Sequence, residues 1–220
     1  WPASMSTEAR VTTLDLAMQT AAEEIMEKAL VDFDKMALKE WERKKKEEAA
    51  AGIDPPTLST SPPPPVQGAF VVVDARSGAI RAMIGGRAAS HYNRATQAQR
   101  PPGSTFKPFV WAAALQDGMT AASLVEDIPL AYYSDGKDWR LLEGATDQYA
   151  ITLATMPFAS SPDFQVWVPS NFDNKFMGVI TLRKALALSR NMASIRLIEH
   201  IGPPEVVALA HKAGIQSHLD

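Results

Sequence analysis

The 220-residue chain contains no cysteine, which excludes thiol catalysis and cysteine-ligated metal and agrees with many compartments, an oxidising one included. It holds no apolar run of transmembrane length and opens with no signal-peptide pattern. Its net charge of −3 offers no electrostatic footprint for nucleic acid or an anionic membrane. The four histidines, His91, His200, His211 and His218, are scattered without His-Glu-x-x-His spacing, and they read as surface or helix-end residues rather than metal ligands. Gly85-Gly86 follows a strand-like run but lacks the Walker spacing and its Lys-Ser/Thr, so no phosphate loop is expected there. No cofactor or metal is expected. What remains is a chain with 46% hydrophobic residues, enough to bury a core in one or two domains.

Proline is not scarce: 16 are present, and Pro55-Pro56 and Pro62-Pro63-Pro64-Pro65 crowd residues 50–65. That stretch reads as an extended, polyproline-like linker. Before it, Asp15 is placed to N-cap a long helix, with Leu16, Ile25, Leu30, Phe33, Met36 and Trp41 tracing a rough apolar stripe. The charge run Glu42–Glu48 reads as a solvated helical end. Residues 1–65 are therefore expected to form a linker region and 66–220 the main domain. In the latter, Phe70–Val73 and Ala79–Ile84 are two strands about the turn Ala75-Arg76-Ser77-Gly78. Lys107–Leu115 reads as a helix buried on all sides, and Thr181–Ser189, Ala193–Gly202 and Glu205–Ala213 as further helices.

At the mouth of that buried helix stands Pro101-Pro102-Gly103-Ser104-Thr105-Phe106-Lys107-Pro108. One helical turn separates Ser104 from Lys107, so the two share a face. A serine hydroxyl needs a base, and a lysine serves as one only when burial or nearby cations lower its pKa. Phe106, Phe109, Val110 and Trp111 would supply the burial. The other reading is an N-cap serine with a solvated first-turn lysine. Ser134-Asp135-Gly136-Lys137 repeats the Ser-x-x-Lys spacing inside a polar turn, with no apolar run to bury its lysine. Ser189-Arg190-Asn191 falls at a helix–helix junction, where a hydroxyl could relay a proton and an amide could bind a substrate peptide group. An ordinary capping serine with a nearby asparagine fits the same residues.

Taken together these segments resemble the penicillin-binding proteins, and more narrowly the transpeptidase domain of the bifunctional class A type. The likeness includes Gln67-Gly68-Ala69 to Asp74 and Ser77–Gly86 as the opening hairpin. It continues in Asn93–Arg100 leading into Pro102–Pro108, and in Trp167-Val168-Pro169-Ser170-Asn171-Phe172-Asp173 with Phe176, Gly178 and Thr181-Leu182-Arg183. Val11-Thr12-Thr13-Leu14-Asp15 resembles the segment that joins the family's glycosyltransferase and transpeptidase domains. The resemblance covers most of residues 66–215.

The resemblance implies an α+β fold, an antiparallel sheet with a helical subdomain, truncated before its C-terminal strands. It implies a D,D-transpeptidase that cross-links peptidoglycan stem peptides through a serine acyl-enzyme and is acylated by β-lactams. Ser104 would be the nucleophile, Lys107 its base, Ser189 the proton relay, and Asn191 the group orienting Lys107 and the substrate amide. An upstream glycosyltransferase domain, an extracytoplasmic site and a membrane anchor in a longer parent are implied as well. The family's Lys-Thr/Ser-Gly triplet is absent from the chain, which starts at Trp1. This stretch alone is thus expected to be an inactive part of an active parent. Tyr132–Val166 departs from the family pattern, and no role is carried onto it. A serine β-lactamase of the same fold and a non-catalytic cell-wall scaffold are the alternatives.

Overall fold

A computed structural model describes residues 12–52, 61–87, 91–134, 136–144, 147–158 and 163–219. Val11 of the leading segment, Pro55-Pro56 of the linker and Asp135 of the second Ser-x-x-Lys match lie outside the described residues. By packing, residues 1–100 and 101–220 form two compact units.

In the first unit the long helix α1 spans Leu16–Ala50. Asp15 caps it as expected: its carboxylate accepts from the Met18 N–H at 3.0 Å, which satisfies a donor that has no intrahelical partner. Strands β1 (Phe70–Val73) and β2 (Ile80–Ile84) pair antiparallel with Phe70 opposite Ile84. Their turn is held by Asp74, whose Oδ1 accepts from the Arg76 and Ser77 N–H groups at 3.0 and 2.8 Å. A single-turn helix, α2, follows at Arg94–Gln97.

The apolar stripe expected along α1 is not the face that packs. Of its members Leu30 is buried, whereas Leu16, Ile25, Phe33 and Met36 are 81, 61, 53 and 64% exposed. The docked line runs through Gln19, Ala22, Met26 and Leu30. Gln19 spans the Met83 peptide, accepting from its N–H at 2.9 Å and donating to its carbonyl at 3.2 Å. Met26 and Leu30 close over the backbone of Gly68. Ile25 and Met36 point about 100° away from this line, at 3.6 residues per turn. At its far end Asp34 accepts from the Val66 N–H at 2.7 Å and from Arg87 at 2.6 Å. The charge run is solvated, as expected, with Arg43 pairing Glu40 at 2.7 Å on the exposed surface.

The second unit is built around α3 (Lys107–Gln116), preceded by a 3-10 turn at Gly103–Phe106. Strands β3 (Leu124–Asp127) and β7 (Gly178–Thr181) pair antiparallel, and helices α5 (Leu182–Ala187), α6 (Asn191–Ile201) and α7 (Pro203–Lys212) complete the packing. Val110, Trp111, Ala113 and Ala114 of α3 meet Val125, Ile180, Leu182, Leu197 and Val206 in one apolar core. The Trp111 indole N–H finds the Leu182 carbonyl at 2.9 Å, so this ring is buried with its polar atom satisfied. The helix is not buried all round, because Pro108 and Leu115 face outward.

Gly202, at φ 94°, ends α6, and Pro203-Pro204 then open α7, two residues before the helix start expected at Glu205. Proline fits a first turn, where its missing N–H would have no partner. The stretch that carried no sequence assignment holds β4 (Tyr132–Ser134), β5 (Trp139–Leu141), α4 (Gln148–Thr155) and β6 (Gln165–Trp167). The three strands form an antiparallel sheet in the order β5-β4-β6. Ser134 of the second Ser-x-x-Lys match ends β4, and its Oγ accepts from Gly136 N–H at 3.2 Å, so it is a turn serine. Mixed helix with antiparallel strands is the expected fold class.

Candidate active site

Three of the four expected residues converge on one atom. Lys107 Nζ donates to the Ser189 carbonyl at 2.6 Å, the Ser189 Oγ at 3.0 Å and the Asn191 Oδ1 at 2.6 Å. All three ammonium protons are thereby used, each on a neutral oxygen. Lys107 is buried, and that burial, followed by the field of Arg190, pushes its pKa below the usual lysine range.

Ser104 occupies the 3-10 turn just before α3 and is exposed. Its carbonyl accepts the Lys107 backbone N–H. Its hydroxyl has no hydrogen-bond partner among the described residues, and the Lys107 ammonium bonds Ser189 and Asn191 instead. Ser104, Ser189 and Asn191 nevertheless line one cleft of about 680 Å³, along with Ser170, Asn171 and Phe172. Gly103 at φ 55° makes the turn that presents Ser104, a conformation in which glycine carries no Cβ penalty.

The Ser189-Arg190-Asn191 junction is a helix C-terminus of unusual composition. The Ser189 N–H bonds the Leu186 carbonyl at 2.9 Å and the Arg190 N–H bonds the Ala185 carbonyl at 2.9 Å. This is the Schellman pattern, whose left-handed position is ordinarily glycine. Here serine fills it, at φ 52°. A side chain in that region costs about 1–2 kcal/mol, and such strain persists where the surroundings enforce it. The turn aims both oxygens of Ser189 at Lys107 and starts α6 at Asn191.

Asn191 is fixed at every polar atom but one N–H. Its backbone N–H donates to Asn171 Oδ1 at 2.7 Å and its side-chain Nδ2 to the Ser170 carbonyl at 2.8 Å. Asn171, itself buried, donates to Asp127 Oδ1 at 2.7 Å and to the Lys175 carbonyl at 2.9 Å. Asp127 is fully buried and accepts from Arg190 Nε at 2.7 Å. Arg190 reaches Asp173 as well, at 3.1 and 3.0 Å.

Asp127, Asn171 and Arg190 were not singled out from the sequence. One signal was available: Val125 and Asp127 are the inward positions of β3, so strand alternation places a carboxylate in the core, where it needs a partner. Among the described residues no group of His, Asp and Glu is placed to hold a metal ion, and no helix is long and apolar enough to cross a membrane.

Residues 68–164 match the family described as the penicillin binding protein transpeptidase domain. Penicillin-binding protein 1A of Neisseria lactamica is 43% identical over 139 residues, which is 62% of this chain and 14% of that protein. Penicillin-binding protein 1A of Pseudomonas aeruginosa is 40% identical over 152 residues, 68% of this chain and 15% of the relative. The domain match and these relatives support a class A penicillin-binding protein. The chain spans about a seventh of the length of the curated relatives it matches.

Among solved structures, PonA1 of Mycobacterium tuberculosis in complex with penicillin V superimposes with a TM-score of 0.56 at 25% identity, covering 96% of this chain and 40% of that one. Penicillin-binding protein 1A of Haemophilus influenzae gives 0.52 at 26% identity over 70% of this chain and 20% of its own. The likeness to these penicillin-binding proteins carries the α+β fold read from the sequence.

Proposed function

We propose that the protein carrying this chain is a peptidoglycan D,D-transpeptidase and that Ser104, Lys107, Ser189 and Asn191 are its catalytic residues. The observation that carries this reading is the convergence of Lys107 on Ser189 and Asn191, which line one cleft with a Ser104 hydroxyl that has no partner among the described residues.

In its neutral form Lys107 gives up one of its three bonds and gains a lone pair with which to take the Ser104 proton. The Ser104 oxygen then bonds the carbonyl carbon between two terminal D-alanines of a stem peptide, and the C–N bond to the last residue breaks. The proton passes through Lys107 and the Ser189 hydroxyl to the departing amine. An amine of a neighbouring strand then attacks the acyl carbon, the ester bond from that carbon to the Ser104 oxygen breaks as the new amide forms, and a proton from the attacking amine returns to Ser104. The Ser104 N–H is one donor to the oxyanion, and removal of such a donor costs about 10²–10³ in rate. Asn191 uses its remaining N–H on the substrate amide while its Oδ1 holds Lys107.

β-Lactams acylate the same serine in this reading. The substrate places the reaction on the outer face of the membrane, and the class A kinship supports a glycosyltransferase domain elsewhere in the same protein. The test is incubation of the protein carrying this chain with pentapeptide-bearing glycan strands. Release of D-alanine together with cross-linked dimers, both lost in Ser104→Ala, is the expected result. Rapid hydrolysis of a chromogenic cephalosporin without cross-linking would move the assignment to a serine β-lactamase.

A further inference from the structure

Arg190 sits between Ser189 and Asn191 and faces the opposite way. Its side chain, 6% exposed, enters the interior while its two neighbours face Lys107. Every polar group of this residue is engaged. Its backbone N–H bonds the Ala185 carbonyl, and its own carbonyl accepts the Ser194 hydroxyl at 2.8 Å. The guanidinium donates through Nε to Asp127, through Nη1 to Asp173 and through Nη2 to the Lys175 carbonyl. Burial alone would lower its pKa, and the bonds to Asp173 and Asp127 more than offset that, so Arg190 stays charged.

The carboxylate that anchors it also anchors Asn191. Asp127 Oδ1 accepts from Asn171, whose own Oδ1 takes the Asn191 backbone N–H, while Asp127 Oδ2 takes Arg190 and the Met177 N–H at 3.0 Å. One buried carboxylate thus ties down both flanks of the strained serine. A left-handed serine relaxes unless its neighbours are held, and a fork with fixed geometry holds better than a single charge.

Resting on the transpeptidase reading above, we propose that Arg190 is a positioning residue. Clamped by Asp127 and Asp173, it keeps Ser189 in the left-handed conformation that turns the Ser189 and Asn191 oxygens onto Lys107.

The test uses the protein carrying this chain and the variant Arg190→Lys, which keeps the charge but cannot span Asp127, Asp173 and the Lys175 carbonyl together. Fluorescent penicillin is titrated to separate its reversible dissociation constant from the acylation rate at saturation. The expected result is a folded variant with unchanged dissociation constant and acylation slowed about 10–100-fold, the scale of a misplacement near 1 Å. A residue that only stabilises the fold would lower the melting temperature and leave acylation of the folded protein at the wild-type rate, and that result overturns the proposal. Should Arg190→Lys fail to fold, Asp173→Asn decides: it removes the outer arm of the clamp and leaves the Asp127 arm in place. Slowed acylation there supports the proposal and a wild-type rate overturns it. Wild-type protein that penicillin does not label, folded and pure, overturns the transpeptidase reading and this one with it.

Discussion

Lys107 Nζ donates to Asn191 Oδ1 at 2.6 Å, across 84 positions of sequence. The bond ties the first turn of α3 to the first residue of α6, and Ser189 is held in the same grip. Lys107→Ala removes the proposed base and leaves the Ser189 and Asn191 oxygens facing a void. Acylation by penicillin is expected to fall about 10²–10⁴-fold, the usual worth of a positioned base. The melt should show a loss of about 1–3 kcal/mol from the orphaned acceptors.

The lowered pKa of Lys107 has two consequences for pH dependence. In the proposed mechanism acylation needs the neutral amine, so its rate should rise with pH through a limb lying below the range of a free lysine. Stability should change in the same direction. Between the lowered folded value and the unfolded one, the unfolded chain binds more protons at this site, so raising pH through that window favours the folded state. Acylation rates and melts across a pH series, beside Lys107→Met, isolate this residue: the variant should lose both dependences.

Ser189→Gly separates stability from chemistry. Glycine accepts φ 52° freely, which gains about 1 kcal/mol, while loss of the hydroxyl removes one bond to Lys107 of similar worth. The melt should therefore stay within about 1 kcal/mol of wild type. Cross-linking should nonetheless fall about 10²-fold or more, since the proposed proton relay is gone. A variant that melts normally and cross-links normally would remove Ser189 from the machinery.

Gly85 is a packing requirement of the first unit. A Cβ there would lie 2.2 Å from Asn93 Oδ1 and 2.7 Å from Asn93 Cα, and the second of these is backbone that cannot swing aside. The Gly85 carbonyl also accepts the Arg94 N–H at 2.8 Å, so the two segments are locked together. Gly85→Ala should lower stability by about 1–3 kcal/mol, as overpacking does, and speed amide exchange at Arg94.

Local signals were the ones legible in the sequence. Asp15 as an N-cap, the hairpin about Asp74–Gly78, and the helix beginning at Lys107 depend on residues within a few positions of one another. The spacing of Ser104 and Lys107 placed both at the mouth of α3, and the helix junction placed Ser189 and Asn191 together. Tertiary packing decided the rest. The apolar stripe of α1 misled because the hairpin docks along Gln19, Ala22, Met26 and Leu30, where a glutamine amide substitutes for an apolar contact. Lys107 turns to Ser189 rather than to Ser104, because oxygens brought from 82 positions away satisfy its protons once it is buried. The Asp127, Asn171 and Arg190 network stayed hidden because each member is ordinary alone. Alternation along β3 hints at a buried Asp127, but its partners Asn171 and Arg190 come from 44 and 63 positions further on.

The most direct measurement is the site of acylation. The protein carrying this chain would be treated with penicillin, digested and mapped by tandem mass spectrometry beside its Ser104→Ala variant. One adduct, on Ser104 and absent from the variant, is the result expected. An adduct on another residue, or none on folded protein, would contradict the assignment of Ser104 as nucleophile and with it the proposed mechanism.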